Sequence, residues 1–150
     1  MVVGKVRLND SNEQSDVIIF GRRETMNELE RGVTDLLTAG EHPVLERLRR
    51  QLESVRVVGR TYTGVGFYTD LEVDHDVPRV TAPLNFELDD VWAKMDGLQN
   101  GVGFVLFVRE GVASLLEGYT IDEPWPDRLE NVVLSYSGVP RQLPLEQRVF

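Results

Sequence analysis

The chain has no cysteine, almost no lysine and little histidine, and each shortage removes a class of function. Without cysteine there is no disulfide framework, no thiol nucleophile and no zinc–thiolate site. Lys5 and Lys94 are the only lysines, so nearly all positive charge comes from arginine. No apolar run approaches the roughly 20 residues of a membrane-spanning helix. The start also lacks the apolar core of a secretory signal. These shortages predict a cytoplasmic protein with no membrane partner.

Acidity is the strongest feature that is present, because the formal net charge is −9 at pH 7 over 150 residues. Nucleic acid usually requires a clustered basic face. The arginines at 47, 49, 50 and 56 form only a small group, which is typical of the solvated face of a helix. We therefore expect no nucleic-acid partner. An acidic surface favours a basic protein partner instead. The length predicts a single domain over 1–150, with a core at about 26–137.

The first 25 residues differ from the rest of the chain. Residues 17–20 are apolar and are followed by Gly21, which predicts an edge strand. A second interpretation makes Met26 the true start, with residues 1–25 an extension. The codons for residues 22–24 can all be purine-only, as in a ribosome-binding site. Both interpretations remain open at this stage.

Two helices are predicted after residue 25. Thr25 and Glu28 have the spacing of a capping box, and apolar residues recur at helical spacing over 29–37. Gly40 is a natural helix stop. Pro43 suits the first position of a second helix, which continues to Leu52. We expect the two to form an αα-hairpin, with His42 at the second N-cap.

The remaining pattern predicts strands. They are expected over 55–58, 63–73, 84–88, 102–108, 112–121 and 129–136, with a loop over 74–83. Residues 91–95 fit either a strand or a short helix capped by Asp89 or Asp90. Residues 102–108 are almost continuously apolar, as in a central strand, and residues 109–111 predict a tight hairpin turn. The predicted fold is α+β, with an N-terminal αα-hairpin packed on a mainly antiparallel β-meander.

The tetrapeptide Gly-Val-Gly-Phe occurs twice, and its glycines are Gly64, Gly66, Gly101 and Gly103. If each copy lies in a strand, both of its glycines share one face. Glycine weakens a strand, so its repeated use needs a cause. One interpretation is the floor of a ligand pocket walled by aromatics. The other is a strand bend, or space filled by a side chain such as Tyr119 or Trp125.

Glu117 is the main candidate for a functional acid or base. Strand alternation places it on one face with Leu115, Tyr119 and Ile121. A carboxylate among apolar neighbours must be paired, hydrogen-bonded or raised in pKa. The structural alternative is an ion pair with an arginine such as Arg60, or a hydrogen bond from a loop N–H.

Asp122, Glu123 and Trp125 follow directly, in a loop shaped by two prolines. A tryptophan beside carboxylates suits a basic partner, whereas a structural Trp125 would close the end of the core. His75 between two aspartates fits a solvated loop better than a cation site. No serine lies in a nucleophile elbow. No catalytic residue, metal or cofactor is predicted.

Three segments resemble a group of short acidic bacterial proteins of unassigned function, some similar in size and acidity to toxin-immunity proteins. They are the TGVGF segment at 63–67, the GFVLF segment at 103–107, and LEGYT at 116–120 with EPWP at 123–126. The resemblance covers about 26–136. It transfers no activity and no catalytic residue, and it fits a start near Met26.

Three functions are compatible with these features. The first is an immunity-type or regulatory partner of a basic protein, which accounts for the charge. The second is a small-molecule-binding domain or enzyme, with a pocket near Glu117, Tyr119 and the glycine-bearing strands. The third is a homo-oligomeric module. We favour the first, because no catalytic constellation is recognised.

Overall fold

The computed structural model describes the backbone of residues 2–6 and 17–145, and the side chains from Glu24 to Leu145. Two helices are present, α1 (Glu28–Leu37) and α2 (Pro43–Glu53). The strands are β1 (Val2–Val6), β2 (Val17–Glu24), β3 (Arg56–Tyr62), β4 (Gly66–Glu72), β5 (Phe86–Lys94), β6 (Val102–Arg109), β7 (Val112–Thr120) and β8 (Leu129–Tyr136). The predicted α+β class is confirmed. The closer arrangement of the helices as an αα-hairpin stays a prediction.

The strands form one sheet in which every neighbouring pair is antiparallel. Its order from β3 to β8 is β8-β5-β6-β7-β4-β3, with β1 next to β8 and β2 next to β3. The sheet is not one continuous meander, because β4 pairs with β7. That pairing places the β3–β4 hairpin, which follows the helices in sequence, beside the β6–β7 hairpin.

The predicted strand over 63–73 is wrong at its start. The chain turns after Tyr62, where the Thr63 N–H donates to the Gly66 carbonyl at 3.0 Å, and β4 begins only at Gly66. The short-helix interpretation of 91–95 is also wrong, since β5 runs through Lys94. Its register shifts between Leu88 and Val91, which explains why the apolar alternation was interrupted there.

Helix α1 begins two residues later than predicted. The capping box is formed by Asn27 and Glu30, not Thr25 and Glu28. The Asn27 side chain accepts from the Glu30 N–H, and the Glu30 carboxylate accepts from the Asn27 N–H, both at 2.8 Å. For α2 the prediction is confirmed: the His42 ring accepts from the Val44 N–H at 3.1 Å, and Pro43 follows it. Among the described residues, neither helix is long and apolar enough to cross a membrane.

Both helices cover one face of the sheet, called here the inner face. Buried residues of both helices, such as Leu29 and Leu48, pack in one core with inward residues of β6 and β7, such as Phe104 and Leu116. The opposite face, called the open face, is not covered by either helix. Burial alternates along the second half of β7, so that Leu116 and Gly118 lie on the inner face and Glu117 and Tyr119 on the open face.

A buried ion pair links α1 to the inner face. The Arg60 side chain donates to both carboxylate oxygens of Glu30, at 2.8 and 2.9 Å. The Thr69 hydroxyl donates to Glu30 at 2.6 Å. Because the capping-box bond uses the same carboxylate, a charge that is 1% exposed has hydrogen-bond partners on both oxygens.

A second buried polar side chain links α2 to the β6–β7 hairpin. The Gln51 amide N–H group donates to the carbonyls of Gly111 and Pro78, and its oxygen accepts from the Ala113 N–H. The hairpin turn is the predicted one, with positive φ of 51° at Glu110 and 80° at Gly111.

Candidate functional site

The space beside Gly103 is filled by the ring of Tyr119. In the sheet register Gly103 lies between Trp92 on β5 and Tyr119 on β7. A Cβ atom at Gly103 would lie 2.5 Å from the Tyr119 ring. The Trp92 and Tyr119 rings meet edge to face, with centroids 5.9 Å apart. The glycine thus makes room for an aromatic pair on the open face.

Gly64 and Gly101 do not lie in strands, so the prediction that each tetrapeptide places two glycines on one strand face is wrong. Both occupy turns with positive φ, 87° at Gly64 and 77° at Gly101. Gly66 opens β4, and its backbone closely approaches that of β7. A Cβ there would lie 2.0 Å from the Gly118 carbonyl oxygen. The four glycines therefore serve different local requirements.

Gly118, which the sequence analysis did not single out, has the matching role on the inner face. A Cβ at Gly118 would lie 2.3 Å from the ring of Phe67, its cross-strand partner. Phe67 also contacts the Trp125 ring, with centroids 5.4 Å apart. The backbone N–H of Trp125 donates to the Gly64 carbonyl at 2.8 Å. Trp125 is half-buried and packs against the end of the core.

Glu117 lies on the open face, half-buried, between Tyr68 on β4 and Val105 on β6. The alternative pairing with Arg60 is wrong, because Arg60 lies on the inner face with Glu30. Glu117 instead lies opposite Tyr68 across the β4–β7 pairing, and its charge raises the pKa of the Tyr68 hydroxyl. Within the described part of the chain it has no ion-pair partner.

Negative charges on the open face raise the pKa values of its tyrosines. The charge of Glu117 is the main cause that raises the pKa of Tyr68. Burial raises the pKa of Tyr119, and the charges of Asp89 and Glu117 raise it further. Asp89 was considered in the sequence analysis only as a helix cap. Only the strand pairing brings it within electrostatic range of Tyr119.

Arg109 is a cation on the open face that pairs with another carboxylate. Arg109 forms an ion pair with Glu87, with the two side-chain atoms 3.2 Å apart, and its guanidinium lies 5.0 Å from the centroid of the Phe107 ring. Glu117 thus lies half-buried among aromatic residues, with no ion-pair partner among the described residues. That arrangement attracts a guanidinium or ammonium group, by charge and by cation–π contact.

Glu123 and Asp122 have different surroundings. The Glu123 carboxylate accepts from the backbone N–H groups of Gln99, at 2.9 and 3.0 Å, and Asn100, at 2.7 Å. It therefore joins the loop after β7 to the turn between β5 and β6. Asp122 is exposed, with a φ of 58°.

A cavity of about 470 Å³ opens beside that turn. Its lining includes Trp92, Lys94, Gln99, Gly101, Asn131 and Ser135. It contacts one of the four predicted glycines, Gly101, and neither Glu117 nor Tyr119. The pocket and the Glu117 carboxylate are thus separate features. Trp92 lines the pocket and contacts Tyr119, which lies on the same face as Glu117.

The structure brings together Gly66, Gly103, Glu117 and Tyr119 across three adjacent strands. It places Gly64, Asp122, Glu123 and Trp125 beyond the strand end, where three of them make the contacts given above. Comparison with protein-family models, with curated proteins and with solved structures finds no match to this chain.

Proposed function

We propose that the chain is a cytoplasmic binding protein whose open face takes a basic protein partner, in an immunity-type or regulatory role. The observation that carries the proposal is Glu117, a half-buried carboxylate with no ion-pair partner among the described residues. It lies beside Tyr68, which is 36% exposed. Aromatic residues and paired charges dominate the energetics of protein interfaces, so this combination suits recognition of an arginine or lysine.

The charge balance supports a basic partner over a second copy of the chain. Asp70, Asp89 and Glu117 lie on the strands of the open face, and the whole chain carries a net charge of −9. Two such faces brought together would repel each other, whereas a basic surface would be attracted. The same charge disfavours a nucleic-acid ligand.

The face also has the residue types of an interface centre. Half-buried Val105, Phe107 and Leu115 lie on the same strands as the aromatic residues and carboxylates. A basic residue of the partner would contact Glu117, while apolar groups of the partner would cover these side chains. We propose no catalytic step, since the arrangement supplies a binding surface and no nucleophile–base pair.

Site-specific photo-crosslinking in the source cell tests the proposal. A photoreactive amino acid replaces Tyr68 on the open face, or Glu53 at the end of α2 as the control position. We expect one basic protein to be crosslinked from position 68 and not from position 53. That protein is then purified and its affinity measured at salt concentrations from about 50 to about 300 mM, where screening weakens charge pairing.

The matched variants are Glu117→Gln and Glu53→Gln, which change the net charge equally. We expect Glu117→Gln to weaken binding about tenfold or more, because a desolvated charge pair is lost. Glu53→Gln should change the affinity by less than about twofold. Equal losses of affinity would contradict the proposal. Self-association in light scattering, together with crosslinks from position 68 to another copy of the chain, would show that the open face binds a second copy instead.

A further inference from the structure

The pocket beside the β5–β6 turn, at the end of the open face that contains Trp92, has features of a ligand site. Its volume is about 470 Å³, within the range of roughly 300–1,000 Å³ typical of small-molecule sites. Trp92 and Leu98 give it apolar walls. Gln99, Asn131 and Ser135 add polar side chains to the lining. Apolar walls with a few polar groups are the usual composition of such sites.

Hydrogen bonds hold the backbone of Gln99 and Asn100 and the side chain of Asn131 in the pocket wall before any ligand binds. The Glu123 carboxylate fixes the backbone of Gln99 and Asn100. The Asn131 side chain donates to Asp96 at 2.6 Å, and the Asp96 N–H donates to the Glu130 carbonyl at 3.0 Å. A ligand therefore meets a turn that is already ordered, which lowers the entropy cost of binding.

The charges in the lining select against an ionic ligand. Lys94 and Asp96 are the only charged residues among the described part of its lining and have opposite signs, so neither an anion nor a cation meets an excess of countercharge there. The remaining polar groups are side-chain amides and a hydroxyl, which can donate and accept hydrogen bonds. Such groups match the hydroxyls of a neutral ligand.

The indole ring of Trp92 favours a ligand with a flat apolar face. It is the only aromatic residue among the described residues of the lining, and its contact with Tyr119 fixes the ring from one side. An indole packs well against an apolar surface while its N–H remains available to a polar group. A saccharide ring has both features, a C–H face for the indole and hydroxyls at its edge.

We propose that this pocket binds a neutral, hydroxyl-bearing ring of about the size of a hexose or disaccharide. Trp92 packs on the C–H face of the ring. The side chains of Gln99, Asn131 and Ser135 hydrogen-bond its hydroxyls. The site lies at the end of the open face beside the β5–β6 turn, and Glu117 is not part of its lining.

Saturation-transfer difference NMR of the full chain with glucose, galactose, N-acetylglucosamine and maltose tests the proposal, with adenosine and inorganic phosphate as competitors. We expect saturable binding of at least one sugar at roughly millimolar affinity, as a few hydrogen bonds and one stacking contact provide. The signal should be strongest for the ring C–H protons. Tryptophan fluorescence of Trp125→Phe, in which Trp92 is the remaining tryptophan, should titrate with the same affinity.

Two double variants complete the experiment. Gln99→Ala with Ser135→Ala removes polar groups of the pocket, and Gln142→Ala with Ser137→Ala makes the same changes at exposed positions outside its lining. We expect the first pair to weaken sugar binding about fivefold or more and the second to leave it unchanged. The proposal is overturned by absence of saturable binding, by equal affinities of the two double variants, or by tighter binding of adenosine or phosphate than of every sugar. Glu117→Gln should leave sugar binding intact, which separates this test from that of the open face.

Discussion

Glu30 and Arg60 form a bidentate ion pair between the first turn of α1 and strand β3, with hydrogen bonds of 2.8 and 2.9 Å. The Glu30 side chain is 1% exposed and the Arg60 side chain 12%. The pKa of Arg60 is raised, first of all by its hydrogen bond to Glu30. Glu30 thus completes the capping box of α1 and also links the helix to the sheet.

Replacement of this carboxylate should be among the most damaging single changes in the chain. Glu30→Ala leaves the partly buried guanidinium with only the exposed Glu24 as an acidic partner and also removes the capping box. We expect a loss of about 3–5 kcal/mol in the free energy of unfolding, measured by urea denaturation. The control is Glu28→Ala, an exposed position in the same turn, with a loss of less than about 1 kcal/mol. Similar losses for both variants would contradict this account.

The glycines should differ in their tolerance of alanine. At Gly66 the added Cβ meets a backbone carbonyl at 2.0 Å, so two strands must move apart. We expect a loss of about 3 kcal/mol or more. At Gly103 the obstacle is the outer end of the Tyr119 side chain, which can rotate, so about 1 kcal/mol is expected.

Gly138→Ala is the control for this series, because its nearest neighbour lies 3.9 Å from the added atom. Its stability should change by less than about 0.5 kcal/mol. Urea unfolding of the three variants gives the ranking. A Gly103→Ala variant as unstable as Gly66→Ala would show that the Tyr119 ring cannot move.

The charge of Glu117 should be visible in the titration of Tyr68. Because that charge is the largest cause of the raised Tyr68 pKa, Glu117→Gln should lower the pKa toward its ordinary value. NMR titration of the tyrosine ring resonances measures the shift. Glu87→Gln on β5, whose carboxylate pairs with Arg109, is the control and should leave Tyr68 unchanged. No shift in Glu117→Gln would mean that the two side chains do not interact.

Stability should fall at alkaline pH. All four tyrosines, Tyr62, Tyr68, Tyr119 and Tyr136, have pKa values raised above the ordinary 10.0 in the folded chain. The unfolded chain therefore loses tyrosine protons first. The stability contribution is complete below pH 10 and is lost as the pH rises from there toward the folded-state pKa values.

Urea midpoints measured between about pH 8 and about pH 11 should show this decrease. Burial is the largest cause of the raised pKa of Tyr62, so Tyr62→Phe should remove part of the pH dependence while keeping the ring in the core. A midpoint that stays constant over this range would contradict the raised values.

Local signals predicted the parts of the fold that depend on neighbouring residues. The continuous apolar run of β6, the Gly111 turn and the Pro43 helix start each follow from a few adjacent side chains. The errors occurred where two local patterns fit equally well. Thr25 with Glu28 has the same spacing as Asn27 with Glu30, and only the sheet, through Arg60 and Thr69, selects the second.

Long-range pairing decided the surroundings of the candidate site. Strand alternation predicted correctly that Glu117 and Tyr119 share a face, because that requires only one strand. Their partners come from β4, β5 and β6, and nothing in the sequence indicates that β4 pairs with β7. For this reason Arg60 was considered for Glu117, Asp89 was not connected to Tyr119, and the pocket beside Trp92 was not foreseen.

Gln51 acts as a substitute peptide group. Its side-chain amide donates to one backbone carbonyl at 2.9 Å and accepts from a backbone N–H at 2.9 Å, as a residue of an adjacent strand would. A helix thereby supplies a hydrogen-bonding partner to the start of β7, before Leu115, where the pairs between β4 and β7 end. Glutamate would present an oxygen where a donor is required, and asparagine is one methylene shorter. Position 51 therefore requires both an amide group and the side-chain length of glutamine, and hydrophobicity or volume alone would not satisfy it.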